Sequence, residues 1–526
     1  MMKNEKINLA IVLVSIGTLL SLQCVKPKAT EQPEQSFGPA DTANGIKFEH
    51  LLGINGFEWE FSGPDNEVSD AKTALIEPFG GFRHYLDWGR LETAENRYAF
   101  QPSLSGLWRY DDIYQWCQAN DIPVLACIKT IPDWLAETYP IDERDEENAP
   151  LPYGLDRLSP ASYLQFAKLG FQFAARYGRN HHIDTGLVHV EPEPHWEPNQ
   201  RKIGLGLITY IECNNEPDRT WKGRNPHQTP EEYAANLSAF YDGHLGTLGP
   251  GVGVKNADPE MQVVMGGLAE GDPAYISRMI EWCKENRGLK PDGTINLCFD
   301  VINYHHYSFS DDGLFGENAR GVAPEKSTAA RTAQRIVRLA EDKAPGLDVW
   351  VTELGYDVNQ ESPLRAIPIK GKSPLITQAD WLLRSSLLYA RNGVKRLFFY
   401  MLNDANYHSE TQFASSGFIH GDERRPAADF FLQAKRLMGG YYYLETVDED
   451  PVVDVYERDG KRIYVLLVPD EKGREVDYGL EIPHGDRVRI HHLQPGEDVM
   501  SSTESMVVDG TLPIRVTETP VFVEVL

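Results

Sequence analysis

The feature that most constrains this 526-residue chain is a regular alternation of short apolar runs with longer amphipathic ones, beginning near residue 46. Short apolar runs predict buried strands and the amphipathic runs predict helices, as in parallel sheets with helical crossovers. Eight such units in succession favour an α/β fold with a closed (β/α)8 TIM barrel, with an open doubly wound sheet as the alternative. The predicted strands lie near residues 46–55, 80–88, 123–130, 206–213, 261–269, 297–305, 347–354 and 395–403.

Local signals mark where several of the helices begin and end. Ser159-Pro160 has the residue types of an N-cap followed by a first-turn proline, and Thr229 with Glu232 has the spacing of a capping box. A helix with apolar residues on one face stops at Gly393, which is typical of a helix C-terminus. These signals predict helices between the strands.

The periodicity changes after Gly439-Gly440. Segments such as 462-RIYVLLV-468 and 520-PVFVEV-525 are short, rich in β-formers and separated by turn residues, with no long helical pattern between them. We therefore predict two domains, a (β/α)8 barrel over residues 46–438 and a small all-β, sandwich-like domain over residues 439–526.

The N-terminus predicts export. Two lysines precede an apolar run over residues 9–20, which has the length of a signal-peptide core and is too short to span a bilayer comfortably. Cys24 ends 19-LLSLQC-24, which resembles a bacterial lipoprotein box and implies a lipidated first residue of the mature chain. A plain secretory signal and an unmodified anchor are the alternatives. Residues 1–24 are predicted to be the signal and 25–45, rich in Pro and polar residues, a tether.

The net charge of the chain limits which partners it is expected to bind. Acidic residues number 78 and basic residues 51, which gives a formal net charge of −27. Such a surface repels phosphate backbones and anionic membranes, so nucleic acid is excluded as an expected partner. Membrane contact is expected only through a lipid on Cys24, which places the protein in the cell envelope, in the periplasm or on the outer surface.

The cysteines and histidines predict neither a disulfide framework nor a metal centre. Five cysteines remain after Cys24, none of them in a CxxC pair, and buried thiols are their expected state. The histidine pairs 181-HH-182 and 305-HH-306 lack a ligand pattern such as HExxH. We therefore expect no metal and no cofactor. The five cysteines are Cys117, Cys127, Cys213, Cys283 and Cys298.

Two glutamates stand where barrels of this kind carry their chemistry, at the carboxyl ends of the strands. In 208-ITYIECNNEPDRTW-221 the predicted fourth strand ends just before Glu216, and Pro217 forces the chain to turn. The predicted seventh strand, in 349-VWVTELGYD-357, delivers Glu353 to the same rim. Facing carboxylates suit glycosidic cleavage, because one can protonate the leaving oxygen while the other meets the charge at the anomeric carbon.

Over most of residues 46–438 the chain resembles the retaining glycoside hydrolases of clan A. The segment 212-ECNNEPD-218 carries the E-x-x-N-E-P pattern of that clan, and the following Asp makes the β-xylosidase-like family 39 the nearest in motif. The segment 88-WGRLETAENRYAF-100 is similar to the W-x-x-x-E-x-x-x-x-x-Y-x-F run after the second strand of many members. The resemblance implies that Glu216 is the acid/base and Glu353 the nucleophile.

The same resemblance implies roles for four neighbours of the glutamates. Asn215 would hydrogen-bond the sugar 2-hydroxyl, and Arg83 would lie beside the nucleophile and keep it ionised. The segment 305-HHY-307 resembles the His-x-Tyr of the clan, which makes Tyr307 a hydrogen-bond partner of Glu353 and His305 a substrate contact. His306 takes that place if the strand register slips by one residue.

Departures from family 39 and exposed aromatics bear on specificity. Where that family usually has tryptophans, this chain has Asn214, Leu354 and Tyr400, which weakens any transfer of xylosidase specificity. Tyr400 still offers an aromatic floor under a sugar ring. Trp59 and Trp134 are predicted to stack on sugar faces, with loop anchoring as the alternative for each.

Other charged residues have structural explanations. Glu212, four residues before Glu216, is a rival acid, but we expect a buried carboxylate held by an arginine or by backbone groups. Arg365, Lys370 and Lys372 give the loop after the seventh strand a local basic excess, which solvation explains. A sulfate or uronate subsite is the alternative.

The sequence therefore predicts an exported retaining glycoside hydrolase that cleaves a β-linked poly- or oligosaccharide with two glutamates. The alternative from another class is a surface glycan-binding lipoprotein that keeps the barrel without turnover. A metal-dependent barrel hydrolase is disfavoured, because it needs His-x-His at the end of the first strand. The β-domain is expected to support the barrel rather than to recognise glycan.

Overall fold

The computed structural model of the chain describes residues 45–192, 198–310, 316, 318–483 and 485–526. Eight parallel strands close into a barrel, in which each strand pairs with the next along the chain and the last pairs with the first. The predicted (β/α)8 barrel is confirmed and the open doubly wound alternative is wrong. A short strand, β1 (Ile46–Lys47), precedes the barrel strands, which are β2 (Gly53–Gly56), β3 (Gly81–Asp87), β4 (Val124–Lys129), β5 (Tyr210–Cys213), β6 (Gln262–Met265), β7 (Val301–His305), β8 (Asp348–Glu353) and β9 (Arg396–Phe399).

The first predicted strand, residues 46–55, is divided in the structure. Strand β1 pairs antiparallel with Tyr442 and Tyr443 of the C-terminal sheet, and a 3-10 turn over Phe48–Leu51 separates it from β2. Strand β2 lies so close to β9 that a Cβ on Gly53 would overlap the Leu397 carbonyl. Glycine is therefore required where the barrel closes.

Helices cover the outside of the barrel. The predicted capping box is present, because the Thr229 side chain accepts a hydrogen bond from the Glu232 backbone N–H and the Glu232 side chain accepts one from that of Thr229. The described helices are α1 (Asp70–Thr73), α2 (Trp88–Leu91), α3 (Tyr110–Ala119), α4 (Asp133–Ala136), α5 (Leu164–Tyr177), α6 (Pro230–Asp242), α7 (Val254–Ala257), α8 (Pro273–Asn286), α9 (Ala329–Lys343), α10 (Pro374–Arg391) and α11 (Pro426–Met438).

The inside of the barrel is apolar at one end and polar at the other. Near the amino ends of the strands a cluster of buried side chains fills the interior, formed by Leu125, Val264, Val301, Trp350 and Phe398. Nearer the carboxyl ends the fully buried side chains are polar and include Asn55, Arg83, Glu212 and Asn303. Since buried polar groups need partners, this layer must be internally hydrogen-bonded, and it supports the rim above it.

The C-terminal part of the chain is all β, as predicted. A small hairpin, β10 (Ile419–His420) and β11 (Glu423–Arg424), precedes α11. The remaining strands are β12 (Tyr442–Glu449), β13 (Val452–Arg458), β14 (Lys461–Leu467), β15 (Val476–Glu481), β16 (Arg487–His492), β17 (Ser501–Met506), β18 (Thr511–Val516) and β19 (Val521–Val525). A seven-stranded antiparallel sheet, in the order β1-β12-β13-β14-β19-β16-β17, and the β15-β18 ribbon enclose a separate apolar cluster.

The basic loop after β8 joins the barrel to the β-domain. Lys370 donates to the Gly473 carbonyl and to Glu475, and Lys372 donates to Asp380 and Glu518. Arg365 donates to the backbone carbonyls of Ala319 and Ser362. All three cations therefore have protein partners, and Lys370 is also exposed to solvent. These contacts explain the basic excess without a sulfate or uronate subsite.

The predicted signal (1–24) with Cys24 and the predicted tether, apart from Gly45, lie outside the described residues. Within the described ranges, the helices are all too short or too polar to cross a membrane.

Candidate active site

Arg83, in the middle of β3, is the centre of the buried polar layer. Its Nε and Nη2 donate to the two carboxylate oxygens of Glu212, at 2.6 and 2.9 Å. Glu212 also accepts from the Asn303 side chain and from the Gly267 backbone N–H, each at 3.0 Å. Both oxygens of Glu212 are therefore occupied, and the residue is fully buried. This is the structural role expected for Glu212, so Glu212 is not available as an alternative catalytic acid.

The rest of the Arg83 guanidinium points toward the rim. Nη1 donates to Glu353 Oε1 at 3.0 Å and to the Tyr85 hydroxyl at 2.8 Å. Nη2 donates to Asn215 Oδ1 at 2.7 Å and to the Cys127 thiol at 3.3 Å. One buried cation thus fixes the positions of two predicted site residues, Glu353 and Asn215, relative to each other.

Glu353, the last residue of β8, is a carboxylate surrounded by donors. Oε1 accepts from Arg83 and from the Tyr85 hydroxyl, and Oε2 accepts from the Tyr307 hydroxyl at 3.1 Å. Burial alone raises the pKa of Glu353, but the His305 and Arg83 charges and these hydrogen bonds outweigh it and hold the pKa below its ordinary value. Glu353 is therefore ionised. Its side chain is 9% exposed, so a substrate can reach it.

Glu216 lies in the sharp turn after β5. Its backbone has a φ of 44°, and its N–H donates to the Gly267 carbonyl at 3.0 Å. A non-glycine residue at positive φ is uncommon, and such positions cluster at functional sites. The turn leaves the side chain 23% exposed, with Oε1 3.0 Å from His305 Nδ1. Glu216 is thus the more accessible of the two glutamates.

His305 lies between the two carboxylates. Its Nδ1 contacts Glu216 and its Nε2 is 3.5 Å from Glu353 Oε1. Burial lowers the pKa of His305, but Glu353 and Glu216 outweigh burial and raise it above its ordinary value. One oxygen of each carboxylate and a ring nitrogen of His305 all lie within 4.8 Å of one another. A Cβ on Gly267 would occupy the position of the His305 ring, so this packing requires glycine there.

The spacing of Glu216, His305 and Glu353 also suits a metal ion, which the sequence did not predict. The hydrogen bonds that Glu353 already accepts argue against a metal at this position. Both oxygens of Glu353 already accept hydrogen bonds from protein donors, and the Arg83 cation lies 3.0 Å from Oε1. A divalent ion would have to displace these donors and tolerate the arginine charge. The cluster therefore fits a pair of carboxylates bridged by a histidine better than a metal site.

The register of β7 decides between the two histidines. His305 faces the carboxylates, whereas His306 is half-buried outside the site, with its pKa lowered to about 4 by burial. The Tyr307 side chain lies in the site, where its hydroxyl contacts Glu353, and its ring packs on Phe413 with centroids 4.5 Å apart. Tyr400 lies edge-on to Tyr85, with centroids 6.2 Å apart. Burial raises the pKa values of both Tyr307 and Tyr400, so both phenols remain protonated donors.

The two predicted tryptophans have different surroundings. Trp59 is 43% exposed and stacks on Phe57 with centroids 4.2 Å apart, and Phe57 in turn stacks on Tyr85. These three stacked rings, Tyr85, Phe57 and Trp59, form an aromatic column. It runs from Tyr85, which donates to Glu353, to the surface. Trp134 instead donates its indole N–H to the Glu92 carbonyl at 3.2 Å and packs edge-on against the buried Trp88. These contacts fit the loop-anchor alternative for Trp134.

Tyr85 and Asn55 also belong to the site, and the sequence did not predict them. Tyr85 donates to Glu353, and Asn55 accepts from Arg83 while donating to three backbone carbonyls of β8 and β9. A signal for Tyr85 was available, because it lies two residues after Arg83 and alternate residues of a strand face the same side. The W-x-x-x-E run is structural, since Trp88 donates to the buried Glu92 at 2.6 Å.

Comparison by sequence found neither a matching family model nor a matching curated protein. Comparison by structure found a family 39 glycoside hydrolase from Bacteroides cellulosilyticus WH2, with a TM-score of 0.60 and 18% identity, covering 91% of this chain and 82% of that one. The family 30 subfamily 8 xylanase Xyn30A from Clostridium acetobutylicum has a TM-score of 0.52 and 13% identity, covering 91% and 97%.

A family 44 xyloglucanase from Paenibacillus polymyxa, solved with xyloglucan, has a TM-score of 0.51 and 13% identity, covering 92% and 97% of the two chains. The chain therefore shares its barrel and its C-terminal β architecture with glycoside hydrolases of several families, one of them family 39. This agrees with the resemblance to clan A, near family 39, that the motifs implied. At these identities the likeness establishes the fold.

Proposed function

We propose that this chain is a retaining glycoside hydrolase that cleaves a β-linked poly- or oligosaccharide by double displacement. The observation that carries the proposal is the separation of the two carboxylates, an oxygen of each lying within 4.8 Å of the other. Retaining enzymes hold their carboxyl groups roughly 5–5.5 Å apart, whereas inverting enzymes leave roughly 6.5–9.5 Å for a water molecule. The gap here fits direct attack on the sugar.

Glu353 is the nucleophile in this mechanism. Its Oε1 is held by Arg83 and Tyr85, while Oε2 accepts, among the residues that the structure describes, only from the Tyr307 hydroxyl at 3.1 Å. We therefore assign the attack on the anomeric carbon to Oε2, the oxygen with fewer donors. The lowered pKa of Glu353 keeps it ionised, and the covalent glycosyl-enzyme forms as the bond to the leaving oxygen breaks.

Glu216 is the acid and then the base. It protonates the leaving oxygen in the first step, and its carboxylate then takes a proton from the water that attacks the glycosyl-enzyme. Asn215 is oriented for the sugar 2-hydroxyl, because Arg83 occupies its Oδ1 and leaves the Nδ2 group to donate. Hydrogen bonds to the 2-hydroxyl that strengthen in the transition state contribute to the rate.

A panel of plant, algal and bacterial polysaccharides tests the proposal. We expect reducing ends to be released from at least one β-linked glycan by the wild type and not by Glu353→Gln. Proton NMR of the first product should show the β-anomer before mutarotation. If the purified protein binds a glycan from the panel without releasing reducing ends, the glycan-binding alternative replaces the enzyme.

The pH profile gives a test of Tyr85. The wild type should keep its kcat/KM as the pH falls to below the ordinary glutamate value of 4.5 and lose it only as Glu353 becomes protonated. Tyr85→Phe removes a hydrogen bond that lowers the pKa of Glu353, so the acid limb should move to higher pH. At the optimum, kcat/KM should fall about tenfold, as expected for a lost hydrogen bond to a charged group.

Tyr110→Phe is the matched control for Tyr85→Phe. Tyr110 is also a buried phenol, but its hydroxyl donates to Glu58 rather than to Glu353. Its removal should leave the acid limb in place. An acid limb that is the same in Tyr85→Phe and in the wild type would show that Tyr85 does not set the ionisation of Glu353.

The dependence of KM on the length of the substrate tests whether the aromatic column binds sugar. Because Trp59 is exposed at its outer end, we expect it to stack on a sugar unit beyond the one that is cleaved. Trp59→Ala should raise KM for a long oligosaccharide about three- to tenfold and change KM for a single-sugar aryl glycoside much less. Tyr442→Ala, an equally exposed ring on the β-domain, should leave both values unchanged.

We also propose export and lipid attachment through Cys24 to the cell envelope. The support is the lysine-flanked apolar run and the LLSLQC segment. In a bacterial host the full chain should partition into the membrane fraction, and Cys24→Ala should release it. A chain that stays in the cytosol with an intact N-terminus would contradict both parts.

A further inference from the structure

Two cysteines outside the site lie in contact. Cys283 is near the end of α8 and Cys298 is in the segment that leads into β7, and their sulfur atoms are 3.5 Å apart. Both side chains are fully buried. Among the described cysteines, all of which are free and buried, no other sulfur–sulfur contact of this length occurs.

We propose that Cys283 and Cys298 form a disulfide when the chain folds under oxidising conditions. A disulfide requires a sulfur–sulfur distance of roughly 2.05 Å, so the two sulfurs must approach by about 1.5 Å. That movement is within reach of side-chain rotation shared by two residues. The inference is independent of the glycosidase proposal, although the proposed export would supply the oxidising compartment in the cell.

The surroundings make the two thiols unequal. Arg287 follows Cys283 by one helical turn, is buried, and is held by Asp242 at 2.8 and 2.9 Å. The hydrogen bond from Cys298 and the nearby Arg287 charge hold the pKa of Cys283 below its ordinary value, whereas burial raises that of Cys298. In the folded, reduced chain Cys283 is therefore the more readily ionised of the two thiols.

The reaction is a thiol–disulfide exchange with a small or protein disulfide as the oxidant. The thiolate of one cysteine attacks one sulfur of the oxidant, forms a mixed disulfide and releases a thiolate that takes up a proton. The other cysteine then loses its proton and attacks the sulfur of the first, which expels the second thiol of the oxidant. Two protein thiols and one oxidant disulfide give one protein disulfide and two small thiols, so electrons and protons balance.

The cross-link would fix the segment between α8 and β7. Residues 287–297 form an excursion between α8 and the segment before β7, held by a bridge between Leu289 and Ile295 and by backbone hydrogen bonds across it. Because both sulfurs are buried in the folded chain, we expect the reaction to occur during folding, before this excursion packs. A closed loop of this length is expected to stabilise the native state.

Peptide mapping tests the proposal directly. The full chain is unfolded in urea, refolded with a mixture of reduced and oxidised glutathione, alkylated and digested with trypsin. Cys283 falls in peptide 279–284 and Cys298 in peptide 288–320. The two peptides should appear linked without reductant and separate with it. Recovery of both cysteines as alkylated thiols, or as glutathione adducts, from folded protein would overturn the proposal.

Variants provide the matched control. Cys298→Ser should abolish the linked peptides, whereas Cys117→Ser, which removes another buried thiol, should retain them. In the wild type, reductant should lower the unfolding temperature by about 2–4 °C or more, and in Cys298→Ser it should have no effect. Hydrolysis rates should be equal with and without the cross-link, so a failed activity assay leaves this test intact. An unfolding temperature of oxidised wild type that reductant does not change would count against the link.

Discussion

Glu353→Gln is expected to lower kcat on the preferred glycan by about 10⁴-fold or more, the largest effect of any single substitution proposed for this chain. Glutamine keeps the shape, and its single carbonyl oxygen can still accept from Arg83 and Tyr85, but it cannot attack the anomeric carbon. It also removes the negative charge that balances Arg83 and His305. The measurement is kcat on a purified oligosaccharide, with the unfolding temperature recorded to show that the variant folds.

Chemical rescue separates a missing nucleophile from a distorted site. Glu353→Gly leaves a cavity in which azide can attack the anomeric carbon once, so an active aryl β-glycoside should give the α-glycosyl azide. Glu212→Gln is the contrasting variant, because it breaks the buried pair with Arg83 and should destabilise the fold without any azide rescue. Rescue of Glu353→Gly with the β-azide as product would contradict the assignment.

Glu216→Gln is expected to lower kcat by about 10²- to 10⁴-fold, depending on the leaving group. A natural glycan, whose leaving alcohol needs a proton, should suffer most. An aryl glycoside with an acidic phenol needs little protonation, so its first step should be nearly normal and the glycosyl-enzyme should accumulate. A burst of phenol followed by slow turnover is the kinetic sign of this imbalance.

Azide acts differently on the Glu216 variants. In Glu216→Gly the anion should attack the glycosyl-enzyme where water normally does, and the product should be the β-glycosyl azide, because two displacements restore the configuration. Equal losses for natural and activated substrates, with no burst, would mean that Glu216 does not act as the acid. The opposite anomers from positions 216 and 353 would establish the two roles together.

Much of the barrel could be predicted from the sequence because its signals are local. Strand and helix periodicity, the Thr229 capping box and the break after Gly439-Gly440 all depend on residues close together in the chain. The division of the first strand depends instead on pairing between Ile46 and Tyr443, at opposite ends of the chain. Such a contact leaves no local pattern.

The site residues likewise divide into those that local sequence patterns predict and those that depend on contacts between distant segments. Glu216 and Glu353 could be located because strand ends and the N-E-P turn are visible in the sequence, and the structure places them face to face. Tyr85 follows from strand alternation once Arg83 is known. The contact between Cys283 and Cys298 could not be predicted, because it depends on how α8 packs against the segment before β7. Lys370 and Lys372 likewise each have a partner in the distant C-terminal domain.

The proposed mechanism requires Glu353 to become covalently bonded to the sugar. The most direct measurement is to inactivate the enzyme with a 2-deoxy-2-fluoro glycosyl fluoride matched to the preferred sugar and to map the label by mass spectrometry. We expect one label per chain, within tryptic peptide 344–365 and on Glu353. A label on another residue, or hydrolysis at the wild-type rate by Glu353→Gln, would contradict it.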